Sequence, residues 1–115
     1  MGACCVFAAE TGARAVYGIE CERIVDVAWE MAARSGYADR IQFFEAYSSD
    51  VTLPERADIV FFEDFSSFLV HETLDSIYAD ARERFLKPDG RVMPATAVLH
   101  AAPFEDAELQ GHEPG

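Results

Sequence analysis

The sequence predicts an α/β fold, a parallel sheet with helices packed against it, and three observations predict it. Short runs rich in β-branched and aromatic residues recur at residues 15–20, 41–45 and 57–62. The last of these, Ala57-Asp58-Ile59-Val60-Phe61-Phe62, shows no alternation and reads as a strand buried on both faces. One stretch with helical spacing of apolar residues lies between the first two runs and another follows the third, the arrangement that gives right-handed crossovers in a parallel sheet. Each run also ends on an acid, Glu20, Glu45 or Glu63. In open α/β sheets the crevice beyond the carboxyl ends of the strands is where ligands bind.

Residues 3–11 are small and apolar and suit a helix, with Gly12 as its C′ residue. Ala15-Val16-Tyr17-Gly18-Ile19-Glu20 is the first strand. Over residues 22–34, Ile24, Val25, Ala28, Trp29, Met31 and Ala32 fall on one helical face, which makes Trp29 and Met31 core residues, and Gly36 closes the helix. Ile41-Gln42-Phe43-Phe44-Glu45 is the next strand, and residues 46–56 form a polar loop. After the run at 57–62, Val70, Leu74, Ile77, Tyr78, Ala81 and Phe85 mark a long amphipathic helix. Lys87-Pro88-Asp89-Gly90 reads as a turn. Residues 91–94 and 97–102 read as strands, and the acidic stretch 104–115 as a disordered tail.

At 115 residues the chain holds one domain, short for a complete doubly wound enzyme fold. Half of the residues are hydrophobic, which argues for a packed body over disorder. The net charge is −12, from 21 acids against 9 bases. Such a surface repels nucleic-acid phosphates and anionic lipid and attracts a basic peptide. Cys4, Cys5 and Cys21 are odd in number and lack metal-ligand spacing, so they read as buried free thiols of a cytoplasmic protein. Val6 stands where a myristoylation signal wants Ser or Thr, and no apolar run approaches the length of a membrane span.

Two acids, Glu63 and Asp64, follow the run at 57–62, and Glu72 comes nine residues after Glu63 near the start of the next helix. Carboxylates that leave a strand and return at a helix can aim at one multiply donating cation, and a guanidinium fork is the best match. A plain structural role suits the same residues, with Glu63 ending a strand in solvent and Glu72 a first-turn acid favoured by the helix dipole. Glu20, just past its strand, has the two acceptors that a ribose diol requires. Asp50 could accept from the exocyclic amine of a purine.

Several of these segments together resemble the S-adenosylmethionine-binding half of protein arginine methyltransferases. The resemblance is carried by Gly12-Ala13-Arg14, Val16-Tyr17-Gly18-Ile19-Glu20, Asp39-Arg40-Ile41, Leu53-Pro54-Glu55, Ala57-Asp58-Ile59-Val60, Leu86-Lys87-Pro88-Asp89-Gly90 and the pair Glu63 and Glu72, in family order and spacing. It extends to about Pro103 and implies a Rossmann-like class I methyltransferase sheet over residues 1–103, with S-adenosylmethionine as cofactor and no metal. By the resemblance Gly2 is the last glycine of the cofactor loop. Glu20 would hold the ribose, Ser48, Ser49 and Asp50 would edge the adenine, and Glu63 would lie beside the cofactor. Glu63 and Glu72 would be the catalytic pair that holds the acceptor nitrogen of a basic protein or a small molecule.

The chain departs from the family pattern in four places. Asp64-Phe65-Ser66-Ser67 replaces Trp-Met-Gly-Tyr, and Ser49 stands at the adenine-facing glutamate. The β-barrel half of the substrate groove does not follow Pro103. The strand and most of the glycine loop expected before Gly2 are not in the sequence, so the sheet is expected to be incomplete and the chain marginal or inactive alone. Two alternatives stay open: a degenerate, non-catalytic interaction module, and a nicotinamide-dinucleotide domain in which Glu20 takes that ribose.

Overall fold

The computed structural model describes residues 2–63 and 72–105, with the backbone alone at Glu72 and Thr73. The elements are α1 (Gly2–Glu10), β1 (Val16–Glu20), α2 (Val25–Ser35), β2 (Ile41–Glu45), a 3-10 turn (Ser48–Asp50), β3 (Ala57–Phe61), α3 (Glu72–Arg84) and β4 (Leu86–Met93). Among the described residues the strands form two parallel pairs, β1 with β2 and β3 with β4. The fold is thus α/β with parallel pairing, as the sequence predicts. It is a partial Rossmann-like sheet, in which β1 and β3 each have one hydrogen-bonded neighbour among the described strands.

Glycine closes the first two helices in the expected way. Gly12, at φ 105°, follows α1, and its amide bonds the Ala9 carbonyl at 3.1 Å. Gly36, at φ 80°, follows α2, and its N–H is directed at the Ala32 and Ala33 carbonyls. A positive φ costs glycine nothing and a side-chain-bearing residue strain. Both helices pack beside the β1–β2 pair in a core of Cys5, Ala9, Val25, Ala28, Ala32, Ile41 and Phe43. A second core, centred on Val51, Ala81 and Phe85, takes in Ile19 and Phe44 from the first pair and Val60 and Phe62 from the β3 segment. That shared core joins the two strand pairs.

Several elements differ from the sequence reading, each for a physical reason. β3 is not buried on both faces: Val60 and Phe62 face the second core, whereas Ile59 and Phe61 are each 52% exposed. Only one face of the strand is covered among the described residues, so burial alternates from Ile59 to Phe62 in a run that is apolar almost throughout. Lys87-Pro88-Asp89-Gly90 is not a free turn but part of β4. Ala57 pairs with Leu86 and Ile59 with Arg91, so the turn residues become a bulge in the ladder, which the Lys87–Asp58 ion pair at 2.8 Å ties to β3.

Residues 97–102 form no strand. Val98 and Leu99 are exposed and the ladder of β4 ends at Met93. Trp29 and Met31 are not core residues, because the buried stripe of α2 is the narrower Val25, Ala28 and Ala32. Trp29 instead lies on the rim, edge-on to Phe43 at 5.1 Å between ring centres. Of the three free thiols Cys5 is buried, Cys4 half-buried and Cys21 exposed. The expected tail falls almost wholly outside the described residues, as 106–115 are not among them.

Candidate functional site

Glu63 stands just beyond β3 at its carboxyl end, as the pattern of the strand predicts. The Cys4 thiol, in the first turn of α1, donates to its Oε2 at 3.5 Å. This contact brings the start of α1 to the end of β3, although the two are 59 residues apart in the chain. Burial first, and then the neighbouring Glu63 carboxylate, raise the Cys4 thiol above its ordinary pKa. Glu72 opens α3. The segment 64–71 and the Glu72 side chain lie outside the described residues, and with them the expected convergence of Glu63 and Glu72 on one pocket.

Glu20 is the last residue of β1, opposite Glu45 in the β1–β2 register. Its Oε1 accepts the Glu22 backbone N–H at 3.2 Å, so the first residues of the following loop fix the direction of the carboxylate. Gly2 is buried where α1 meets α2. A Cβ there would come within 2.9 Å of the Ala28 Cα, so only glycine allows this approach of the two helices.

Ser48, Ser49 and Asp50 form the 3-10 turn. The Asp50 amide bonds the Tyr47 carbonyl at 2.9 Å, and the Ser49 hydroxyl donates to the Asp50 Oδ1 at 3.5 Å. Ser49 and Asp50 are exposed, so their polar groups are open to a ligand. The turn is held from below by Arg84, whose Nη2 donates to the Ser48 carbonyl at 2.7 Å and whose Nη1 donates to the Val51 carbonyl at 2.8 Å.

Sequence reasoning missed Arg84 and Cys4. The i,i+4 spacing of Asp80 and Arg84 was a signal for an ion pair on α3, but the backbone carbonyls that Arg84 also holds carry no sequence signature. Glu55 was read only as part of a motif. In the structure it accepts from Arg14 Nη2 at 2.9 and 2.8 Å and from the Tyr17 hydroxyl at 3.2 Å, which ties the loop before β3 to the start of β1. Among the described residues no three of His, Cys, Asp and Glu gather as metal ligands. No described helix is long and apolar enough to cross a membrane.

No family model matches the chain. Single proteins do. A probable histone-arginine methyltransferase 1.3 of Arabidopsis thaliana is 37% identical over 105 residues, which is 90% of this chain and 20% of that protein. Protein arginine N-methyltransferase PRMT10 of Oryza sativa subsp. japonica is 32% identical over 121 residues, 97% of this chain and 32% of that one. The chain is arginine-methyltransferase-like. Solved structures agree. Arabidopsis thaliana protein arginine methyltransferase 10, in an open conformation, superposes with a TM-score of 0.72 at 30% identity, over 77% of this chain and 26% of that chain. The Trypanosoma brucei PRMT1 enzyme-prozyme heterotetramer with AdoHcy gives a TM-score of 0.71 at 31% identity, over 76% of this chain and 28% of that chain. This arginine-methyltransferase-like chain therefore spans between a fifth and a third of the curated relatives it matches.

Proposed function

We propose that the chain is the cofactor-side part of an S-adenosylmethionine-dependent methyltransferase whose acceptor is a nitrogen nucleophile. The observation that carries this is the contact between Cys4 and Glu63, because it sets the acid beyond β3 against the helix that Gly2 begins. By the resemblance that helix follows the cofactor loop, so an acceptor held by Glu63 would be next to the bound cofactor.

The residues present fit that ligand. The Glu20 carboxylate stands at a strand end, aimed by the Glu22 amide, and offers acceptors to a ribose diol. The exposed edge formed by Ser49 and Asp50 can meet a base amine. The relatives favour S-adenosylmethionine over a nicotinamide dinucleotide for Glu20. When bound, the cofactor supplies a methyl group on a cationic sulfur. The part left to the chain's own residues is positioning. Glu63 and Glu72 orient the acceptor nitrogen in line with that methyl group and support the positive charge that nitrogen gains. A guanidinium on a basic protein suits both the paired carboxylates and the net charge of −12. The same charge and the free thiols suit a cytoplasmic protein with neither a nucleic-acid nor a membrane partner.

A strand inserted between β1 and β3, from a longer form of this chain or from a second chain, would satisfy the edges that each of them leaves without a strand neighbour among the described residues. We expect the 115-residue chain alone to bind the cofactor weakly and to transfer little methyl. The test compares this chain with a form carrying a strand and glycine loop grafted before Gly2. Calorimetry with S-adenosylmethionine and radiolabel transfer to an arginine-rich peptide are the readouts. The grafted form should bind and transfer, and Glu63→Gln should stop transfer while weakening binding far less than Glu20→Gln does. Tight binding by the ungrafted chain would refute the need for the strand. Full transfer by Glu63→Gln would favour the non-catalytic role for this pair.

A further inference from the structure

We infer that Arg84 is a positioning residue that fixes the Ser48–Asp50 turn, and that the far end of α3 thereby sets the edge on which the adenine would rest. The second half of this inference depends on the cofactor reading above; the first half rests on geometry alone. Arg84 Nε and Nη2 donate to Asp80 Oδ1 and Oδ2 at 2.7 and 2.6 Å, a two-pronged pair that holds the guanidinium plane fixed. The same plane also reaches two backbone carbonyls of the turn, Ser48 at 2.7 Å and Val51 at 2.8 Å. The central carbon of the guanidinium lies over the Phe85 ring, 4.6 Å from its centre, and Phe85 belongs to the second core.

A lysine could not reproduce this. It has a point charge and no fork, and cannot meet a carboxylate and two diverging carbonyls at fixed angles. The 3-10 turn is three residues long and has little stability of its own, so its shape depends on what holds it. Carbonyls drawn down onto Arg84 leave the Ser49 and Asp50 side chains on the exposed side. Asp80 acts on the turn through the arginine it orients, so its loss should weaken the clamp less than loss of the fork.

The test uses the full chain and the variants Arg84→Lys and Asp80→Asn, with Arg82→Lys as a control on the same helix. Amide hydrogen exchange is followed residue by residue in the 115-residue chain, and affinity for S-adenosylhomocysteine is measured in the strand-grafted form carrying each substitution. Arg84→Lys should speed exchange at the Asp50 and Val51 amides at least tenfold and leave the amides of α2 unchanged. Asp80→Asn should give a smaller effect at the same two amides, and Arg82→Lys none. The S-adenosylhomocysteine dissociation constant should rise several-fold in Arg84→Lys without loss of the helical circular dichroism signal. Unchanged exchange at Asp50 and Val51, or acceleration spread evenly over the chain, would overturn the clamp. An Arg84→Lys variant with loosened amides and undiminished affinity would overturn its role toward the cofactor. Failure of the otherwise unaltered strand-grafted chain to bind S-adenosylhomocysteine would overturn the cofactor reading instead, and the exchange rates of the 115-residue chain would still decide the clamp.

Discussion

Gly18 in β1 and Phe43 in β2 are register partners, and the phenylalanine ring occupies the space a side chain at position 18 would need. A Cβ on Gly18 would lie 2.5 Å from Phe43 Cδ1 and 3.1 Å from the Cys5 Sγ. Phe43 and Cys5 are both members of the first core, so the ring has little room to retreat. Gly18→Ala should therefore destabilise the chain by about 1–3 kcal/mol, the usual cost of forcing a methyl group into a packed interior. Gly12→Ala meets only open space and bears the strain of its positive φ alone, about 1 kcal/mol. Urea midpoints of the two variants, compared at equal slope, check the ordering.

Acid should loosen the link between the loop before β3 and the start of β1. Hydrogen bonds from Arg14, and after them from Tyr17, hold the Glu55 carboxyl below its ordinary value of 4.5. A folded-state pKa lowered in this way means that the ionised carboxylate favours the fold above the ordinary value. That contribution is lost as pH falls through the lowered one. Carbon-detected titration of Glu55 should show a midpoint below that of a free glutamate, and Arg14→Ala should move it back up. The pair is open to solvent, so added salt should also shrink the difference.

The cysteines should react in order of exposure. Burial pushes the Cys5 thiol up to about 11, so at pH 8 only about one molecule in a thousand carries the thiolate that an alkylating agent attacks. Cys21 is exposed. Peptide mapping after a short iodoacetamide pulse should find label on Cys21 first, less on Cys4, and on Cys5 only when the chain is unfolded with urea. Early label on Cys5 would mean that the packing of α1 against α2 and β2 is wrong.

Where the sequence signal is local, the sequence and the structure agree. Gly12 and Gly36 mark helix ends through the backbone conformation they permit, and Ile41-Gln42-Phe43-Phe44-Glu45 is a strand over its whole predicted length. Disagreement begins where the outcome depends on a distant neighbour. Pro88 and Gly90 carry ordinary turn chemistry, yet pairing of Leu86 with Ala57 and Arg91 with Ile59 absorbs them into β4. Trp29 has the hydrophobicity of a core residue, but small residues at Ala28 and Ala32 bring α1 and α2 together and leave it at the rim. The site divides along the same line. The position of Glu20 and Glu63 at strand ends is legible because strand ends are sequence features. The hold of Arg84 on two carbonyls more than thirty residues away was not.

The proposed function requires that Glu20, Ser49 and Asp50 belong to one cofactor surface with Gly2 and Glu63. The most direct measurement is a titration of the 15N-labelled, strand-grafted chain with S-adenosylmethionine, followed by amide chemical shifts. The largest shifts should fall at Gly2, Glu20, Ser49, Asp50 and Glu63, and Glu20→Gln should weaken binding at least tenfold. Shifts confined instead to the groove lined by Leu53, Pro54, Arg56 and Phe85, at the opposite end of β3, would contradict it.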